Sequence, residues 1–99
     1  EKAAVVEAAD RTLAALAAQY YLKAKTPSGR PVDAVARFHL DNGARLERLN
    51  PRGNMSPKGL RQSFGLMVNY LYDLDKIEAS HTKFRQGDVA RSRSVAALI

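Results

Sequence analysis

One stretch decides the order of the structural elements in this chain: VARFHLDNGARLERLN, residues 35–50. Asp33 stands just before it and can cap a short helix, because its carboxylate can accept hydrogen bonds from the free amides of the first turn. Asn42-Gly43 can end that helix. The same Asn-Gly pair could instead turn a β-hairpin. We favour the helix because Asp33 and Gly43 bracket it correctly.

Two strands are predicted, one on each side of a loop. The first is Ala44–Asn50, although Leu46 and Leu49, three residues apart, break the strict alternation of a strand. The second follows Gly65, and its apolar face is predicted to comprise Leu66, Val68, Tyr70 and Tyr72. Tyr70 and Tyr72 should therefore point the same way.

The first quarter of the chain predicts a long helix from about Ala3 to Lys25. Its alanine content favours a helix, and one apolar face is given by Val5, Ala9, Leu13, Leu16 and Tyr20. The prolines and glycine of residues 26–31 then predict a loop.

Three further helices are predicted downstream. Ser56-Pro57 is a typical helix start and Gly65 can end that helix. Helical spacing returns with Leu74, Ile77, His81 and Phe84, and a short final helix begins at Ser92. The predicted order is helix, short helix, strand, helix, strand, helix, helix, which is an α+β fold.

Length and composition limit the class of protein. Ninety-nine residues, 45% hydrophobic and 26% charged, suit a single domain or domain fragment spanning residues 1–99. The absence of cysteine excludes disulfides and thiolate metal sites. Neither a membrane-spanning run of about 18 apolar residues nor a signal peptide is visible. We expect a soluble protein of a reducing compartment, the cytoplasm or an organelle matrix, and a fragment of a longer chain, since residue 1 is Glu1.

Positive charge is concentrated in the middle of the chain. The formal net charge is +6, and the whole excess falls between Lys23 and Arg61. This segment is a candidate anion-facing surface. Its field can attract nucleic acid, an acidic membrane or a polyanionic small molecule such as coenzyme A, and charge alone does not choose among them.

Several motifs in one order carry a resemblance to a known family. Residues 38–50 follow the segment Phe-His-Leu-x-Asn-Gly-Ala-x-Leu-x-Arg-x-Asn of malonyl-CoA decarboxylases, and residues 56–60 and 65–72 resemble the next blocks of that family. The resemblance covers nearly the whole chain, with its specific part between Asp33 and Ile77. It implies the C-terminal portion of an acyltransferase-like α/β catalytic domain.

The resemblance also implies an activity and site residues. Malonyl-CoA decarboxylases, enzymes of fatty acid metabolism, convert malonyl-CoA into acetyl-CoA and carbon dioxide without a metal or organic cofactor. His39 takes the position of the family's proton-donating histidine, and Tyr72 that of a site tyrosine. From the residues alone, the preferred interpretation of His39 is a structural histidine between Phe38 and Leu40. Tyr72 could be a core aromatic, and Tyr70 more readily so.

Two departures from the family pattern bear on activity. The family's catalytic serine and acidic site residue lie upstream of the matched region, so this segment by itself is expected to be inactive and to need the upstream remainder of the same enzyme. The family's Asn-Trp-x-Ala-Asp is replaced by residues 50–54, Asn-Pro-Arg-Gly-Asn. That loop loses an aromatic side chain and gains a cation.

Other functions are weaker on the sequence. His81 lacks neighbouring ligands at metal-binding spacing, and the glycines form no phosphate-binding loop. The alternatives are a noncatalytic basic module that binds nucleic acid or another polyanion through residues 23–61, and an interaction segment whose first helix packs on a partner. No nucleic-acid motif favours the former, no membrane partner is expected, and a homo-oligomer is compatible with the sequence.

Overall fold

The structure, a computed structural model, describes residues 1–99 and has the predicted order of elements. The elements are α1 (Lys2–Lys23), α2 (Ala34–Asp41), β1 (Arg45–Asn50), α3 (Pro57–Ser63), β2 (Met67–Leu71), α4 (Ile77–Arg85) and α5 (Arg93–Ala96). Five helices around one two-stranded sheet confirm the α+β class. None of the helices combines the length and apolarity that crossing a membrane requires.

The sheet pairs β1 with β2 in antiparallel register and contains a β-bulge. Leu46 lies opposite Tyr70 and Leu49 opposite Val68, with the irregularity between Leu46 and Arg48. Glu47 is therefore the extra residue of β1. Because a bulge inserts one residue without a partner, Leu46 and Leu49 both reach the buried face despite their spacing of three.

The predicted apolar face of α1 is wrong. Its buried residues are Ala14, Ala17, Ala18 and Leu22, whereas Val5 and Leu16 are 66% and 63% exposed. The rest of the fold covers only the C-terminal half of this helix, and it does so where small alanine side chains permit close approach. Of the predicted face only Leu13 packs against the core, and Val5 and Leu16 remain on the uncovered side.

The helix that carries His39 has the predicted ends. Asp33 Oδ2 accepts a hydrogen bond from the Ala36 amide at 2.8 Å, which satisfies one of the free donors of the first turn. Gly43 follows the last turn with a φ of +90°, a backbone conformation that glycine adopts without strain. The hairpin alternative for Asn42-Gly43 is therefore wrong.

The predicted end of α3 is confirmed, and the predicted start of α4 needs correction. Gly65, with a φ of +82°, follows Phe64, the C-cap residue of α3, and so ends this helix as predicted. Leu74 does not belong to α4 and is 85% exposed. The chain turns at Asp73, whose side chain accepts from the Asp75 amide at 3.1 Å, and the helix starts only at Ile77.

The C-terminal segment closes the outer edge of β1. The Leu46 amide donates to the Ala90 carbonyl at 2.8 Å, and the Ser92 amide donates to the Leu46 carbonyl at 3.0 Å. Ser92 Oγ, which also caps α5 as predicted, donates to the Glu47 carbonyl at 2.7 Å. The largest fully buried side chains are Leu40, Leu46, Val89 and Val95. One core therefore joins α2, β1 and the C-terminal segment.

Candidate functional site

The two residues singled out by the sequence meet in the structure. His39 lies in the last turn of α2, and Tyr72 follows the last residue of β2. His39 Nδ1 is 2.7 Å from the Tyr72 hydroxyl oxygen, a hydrogen-bonding distance. The fold therefore brings together an imidazole and a phenol that are 33 residues apart in sequence.

Tyr70 completes the surroundings of the imidazole. Its ring stacks on that of His39 with centroids 4.4 Å apart and planes inclined by 22°. Tyr72 meets the same imidazole edge-on, at 5.9 Å and 65°. Both tyrosines therefore contact one side chain, in agreement with the prediction that they point the same way. The sequence did not indicate that Tyr70 touches His39.

The second ring nitrogen of His39 is available for chemistry. Its Nε2 takes part in no hydrogen bond or ion pair within the chain, and the side chain is half-buried. In the imidazolium both nitrogens carry protons, so Nδ1–H can donate to the Tyr72 hydroxyl oxygen while Nε2–H remains free. The ring is held at one end and open to a ligand at the other.

Two tyrosines near the site stay protonated to high pH. Burial, with smaller contributions from Tyr21 and Asp33, raises the pKa of Tyr70 well above its usual value of 10.0. Burial is also the main cause that raises the pKa of Tyr21 to about 12. Removal of the phenolate from water disfavours the charged form. Near neutral pH both side chains are therefore uncharged rings.

The opposite face of the sheet has a different character. Asn50 Nδ2 donates to Asn69 Oδ1 at 2.7 Å across the two strands. Asn69 is exposed and alternates with the half-buried Val68 and Tyr70. Asn69 is therefore a polar group of the ladder on the face opposite to the two tyrosines and the imidazole.

The second histidine lies in separate surroundings. His81 Nε2 is 3.4 Å from Asp41 Oδ1, and Asp41 also lies 3.6 Å from Arg30. These side chains belong to a cavity of about 390 Å³ between the loop after α1 and α4. No group of three or more His, Asp or Glu side chains converges on a point where a metal could bind.

The cavities of the chain do not coincide with the imidazole. Neither the cavity at His81 nor a second one of about 410 Å³, beside α1 and α3, includes His39 or Tyr72 in its lining. Tyr72 is 41% exposed. The His39–Tyr72 pair therefore lies outside both of these cavities, at a partly exposed position on this chain.

The basic central segment is not a uniform cationic surface. Arg45 Nε donates to Glu47 at 2.6 Å, and Arg30 lies near Asp41. In the altered loop, Arg52 pairs with Asp10 of α1, with its Nη2 atom 2.7 Å from the carboxylate. Arg52, the cation that distinguishes this loop from the family pattern, therefore forms an ion pair with the long helix α1.

Comparison with known proteins gives a consistent result. The sequence model of the malonyl-CoA decarboxylase C-terminal domain family matches residues 1–99. A mitochondrial malonyl-CoA decarboxylase of the goose Anser anser anser is 46% identical over 56 residues, which are 57% of this chain and 11% of the goose protein. That of Rattus norvegicus is 46% identical over 57 residues, 58% of this chain and 12% of the rat protein.

Solved structures agree over a greater length. Malonyl-CoA decarboxylase from Rhodopseudomonas palustris superposes with a TM-score of 0.91 and 52% identity, over 100% of this chain and 23% of that protein. The enzyme from Agrobacterium vitis gives a TM-score of 0.90 and 56% identity, over 96% of this chain and 24% of that protein. The chain thus spans about a quarter or less of the relatives that it matches.

Proposed function

The chain belongs to the malonyl-CoA decarboxylase C-terminal domain family, and on that premise we propose that it supplies the proton donor for decarboxylation of malonyl-CoA in a longer enzyme. The observation that carries the proposal is the half-buried imidazole of His39, bonded through Nδ1 to Tyr72 and free at Nε2. An imidazole titrates near neutral pH and is suited to proton transfer.

The reaction needs a proton at one carbon atom. When the bond between the α-carbon and the carboxylate of malonyl-CoA breaks, its electron pair is left in an enolate shared between the α-carbon and the thioester oxygen. Carbon dioxide departs. The Nε2–H of the His39 imidazolium then protonates the α-carbon, which gives acetyl-CoA and a neutral imidazole that regains its proton from solvent.

Tyr72 has a supporting role in this proposal. Its hydroxyl oxygen accepts from Nδ1–H, which keeps Nε2 as the nitrogen that faces the substrate. A hydrogen bond to a charged partner is stronger than one between neutral groups, so the contact also favours the imidazolium. The donors for the enolate oxygen would come from outside this chain, since a stabilised oxyanion requires fixed donors aimed at it.

The remainder of the enzyme is part of the proposal. The imidazole lies at the surface of the chain, and the chain spans about a quarter of the length of its solved relatives. We therefore expect that residues 1–99, which form a single domain or a domain fragment, are inactive alone. Malonyl-CoA and acetyl-CoA are the proposed substrate and product. The goose and rat relatives are mitochondrial by name, so an organelle matrix is as compatible as the cytoplasm.

The test compares two histidine variants of the full-length enzyme. We expect His39→Ala to lower the kcat for acetyl-CoA formation by at least about 100-fold, the usual contribution of a general acid, with KM changed only a few-fold. His81→Ala is the matched control, because His81 contacts Asp41 and lies apart from Tyr72; its kcat should stay near that of the wild type. Equal rates for His39→Ala and wild type would refute the assignment.

A further inference from the structure

The ring of Tyr70 lies nearly parallel to that of His39 at 4.4 Å. We infer that Tyr70 is a positioning residue of the reaction: its ring face fixes the plane of the His39 imidazole and thereby the direction of Nε2. The inference rests on the proposed function, in which Nε2 delivers the proton. Tyr70 itself would touch neither the substrate nor the reacting atoms.

The hydrogen bond between His39 and Tyr72 does not fix the imidazole by itself. One contact at Nδ1 restrains the χ1 and χ2 torsions of His39 only in part, and Phe38, which meets the ring edge-on with centroids 5.3 Å apart, is itself 64% exposed. Tyr72 is also 41% exposed and follows the end of β2, where the sheet no longer holds the backbone. A second restraint on the ring plane is needed, and a parallel aromatic face supplies it.

Tyr70 is well anchored for this purpose. It lies within β2 in register with Leu46, which is fully buried, and it packs against the hydrophobic core. The stack therefore ties the imidazole to the rigid part of the fold. Displacement of a reacting group by about 1 Å can lower a rate by roughly 100-fold, so such a restraint has a measurable effect.

The ring face of Tyr70 is the important part, and its hydroxyl is not. The hydroxyl makes no hydrogen bond within the chain, since the His39 nitrogen is bonded to Tyr72 instead. The Tyr70 phenol is neutral at physiological pH, since its ordinary pKa of 10.0 is already well above neutrality and burial raises it further. The stack therefore places an uncharged aromatic face on the imidazole. Phenylalanine should provide the same face.

The first experiment compares three variants of the full-length enzyme. We expect Tyr70→Leu to lower kcat by about 10- to 100-fold with KM within about threefold of wild type, and Tyr70→Phe to keep kcat within about threefold. Val68→Ala is the matched control, because Val68 lies on the same face of β2 and packs against the same core but is opposite Leu49 rather than Leu46. It should lower thermal stability and leave kcat unchanged.

Two further readouts separate positioning from a structural effect. In Tyr70→Leu the loss should appear in kcat rather than in KM at every pH at which the wild type is active. In a His39→Gln background, Tyr70→Leu should cause no further loss of kcat, because residues that act as a unit are not additive. If Tyr70→Leu does not fold, Tyr70→Met takes its place.

Each opposite result overturns the inference. Tyr70→Leu with the kcat of the wild type removes the positioning role, and so does a loss of activity in Tyr70→Phe equal to that in Tyr70→Leu. An additional loss in the His39→Gln background shows that Tyr70 acts by another route. Failure of the proposed function is distinct, because His39→Ala would then turn over like the wild type.

Discussion

Gly43, which follows the helix of His39, lies directly against Ile77, the first residue of α4. A Cβ atom added at Gly43 would be 2.5 Å from the Cγ2 atom and 2.8 Å from the carbonyl oxygen of Ile77. The backbone there has a φ of +90°. Only glycine meets both conditions, so Gly43 fixes the end of α2 directly against the start of α4.

Gly43→Ala should therefore be much more destabilising than Gly87→Ala. Gly87 has a nearly identical φ of +87°, but a Cβ atom there would meet nothing within 4 Å. We expect Gly87→Ala to cost about 1 kcal/mol of unfolding free energy for the backbone alone, and Gly43→Ala a further ~1–3 kcal/mol for overpacking. Urea unfolding of both variants measures the difference. Equal losses would mean that the contact with Ile77 yields easily.

Tyr72→Phe should impair turnover without impairing folding. The variant loses only the hydroxyl that lies 2.7 Å from His39 Nδ1. A hydrogen bond to a charged group contributes about 1.5–3 kcal/mol, so we expect kcat to fall by about 10- to 100-fold in the full-length enzyme. Tyr20→Phe is a suitable control, since Tyr20 is an exposed tyrosine of α1 that contacts Tyr21 rather than the site. A kcat for Tyr72→Phe equal to that of the control would contradict the supporting role.

Asp33→Ala should loosen the helix of His39 at its start. The carboxylate accepts from the Ala36 amide at 2.8 Å, and removal of such a cap costs about 1 kcal/mol. Asp33→Asn retains a capping oxygen and should recover most of the loss. Urea midpoints of the two variants decide the point, and a recovery smaller than half would indicate that the cap is not the main function of Asp33.

Stability should fall at alkaline pH in part because of Tyr21. Its pKa is about 12 in the folded protein against a usual 10.0, so the unfolded chain loses this proton first. The contribution of Tyr21 is complete below about pH 10 and is lost as the pH rises towards 12. Lys25, whose pKa burial lowers from its usual 10.5, acts in the opposite sense, and its effect lies at pH values below 10.5.

The comparison of the wild type with Tyr21→Phe isolates this contribution. Unfolding free energies measured by urea titration across pH 9–12 should fall less steeply in the variant, because it lacks the titrating hydroxyl. Parallel curves for the two proteins would show that Tyr21 ionises alike in the folded and unfolded states.

Local features of the sequence predicted much of the fold. The caps at Asp33, Ser56 and Ser92 were predicted, and the structure contains all three. A cap depends on the side chain and on amides two or three residues away, so the sequence carries the whole signal. The order of elements and the α+β class followed from such boundaries together with the alternation of residues 66–72.

Contacts between distant segments were not predictable in the same way. The buried face of α1 depends on which half of the helix the rest of the fold covers, and the alanines that pack there give a weaker pattern than the exposed large side chains. The resemblance singled out both His39 and Tyr72, but their distance and the stack on Tyr70 follow from the relative placement of α2 and β2. The alternation of residues 66–72 placed both tyrosines on one face of the strand, but it could not show that His39 lies against them.

The bulge at Glu47 determines how the length of β1 can change. Since Glu47 is the surplus residue between two leucines that face the same way, a chain shortened by this one position would still present Leu46 and Leu49 to the interior, as neighbours in a regular ladder. Loss of a second position would turn Leu49 towards water. Strand pairing should therefore tolerate deletion of Glu47 but not deletion of two residues. Deletion of Glu47 would remove the carbonyl that accepts a hydrogen bond from the Ser92 hydroxyl.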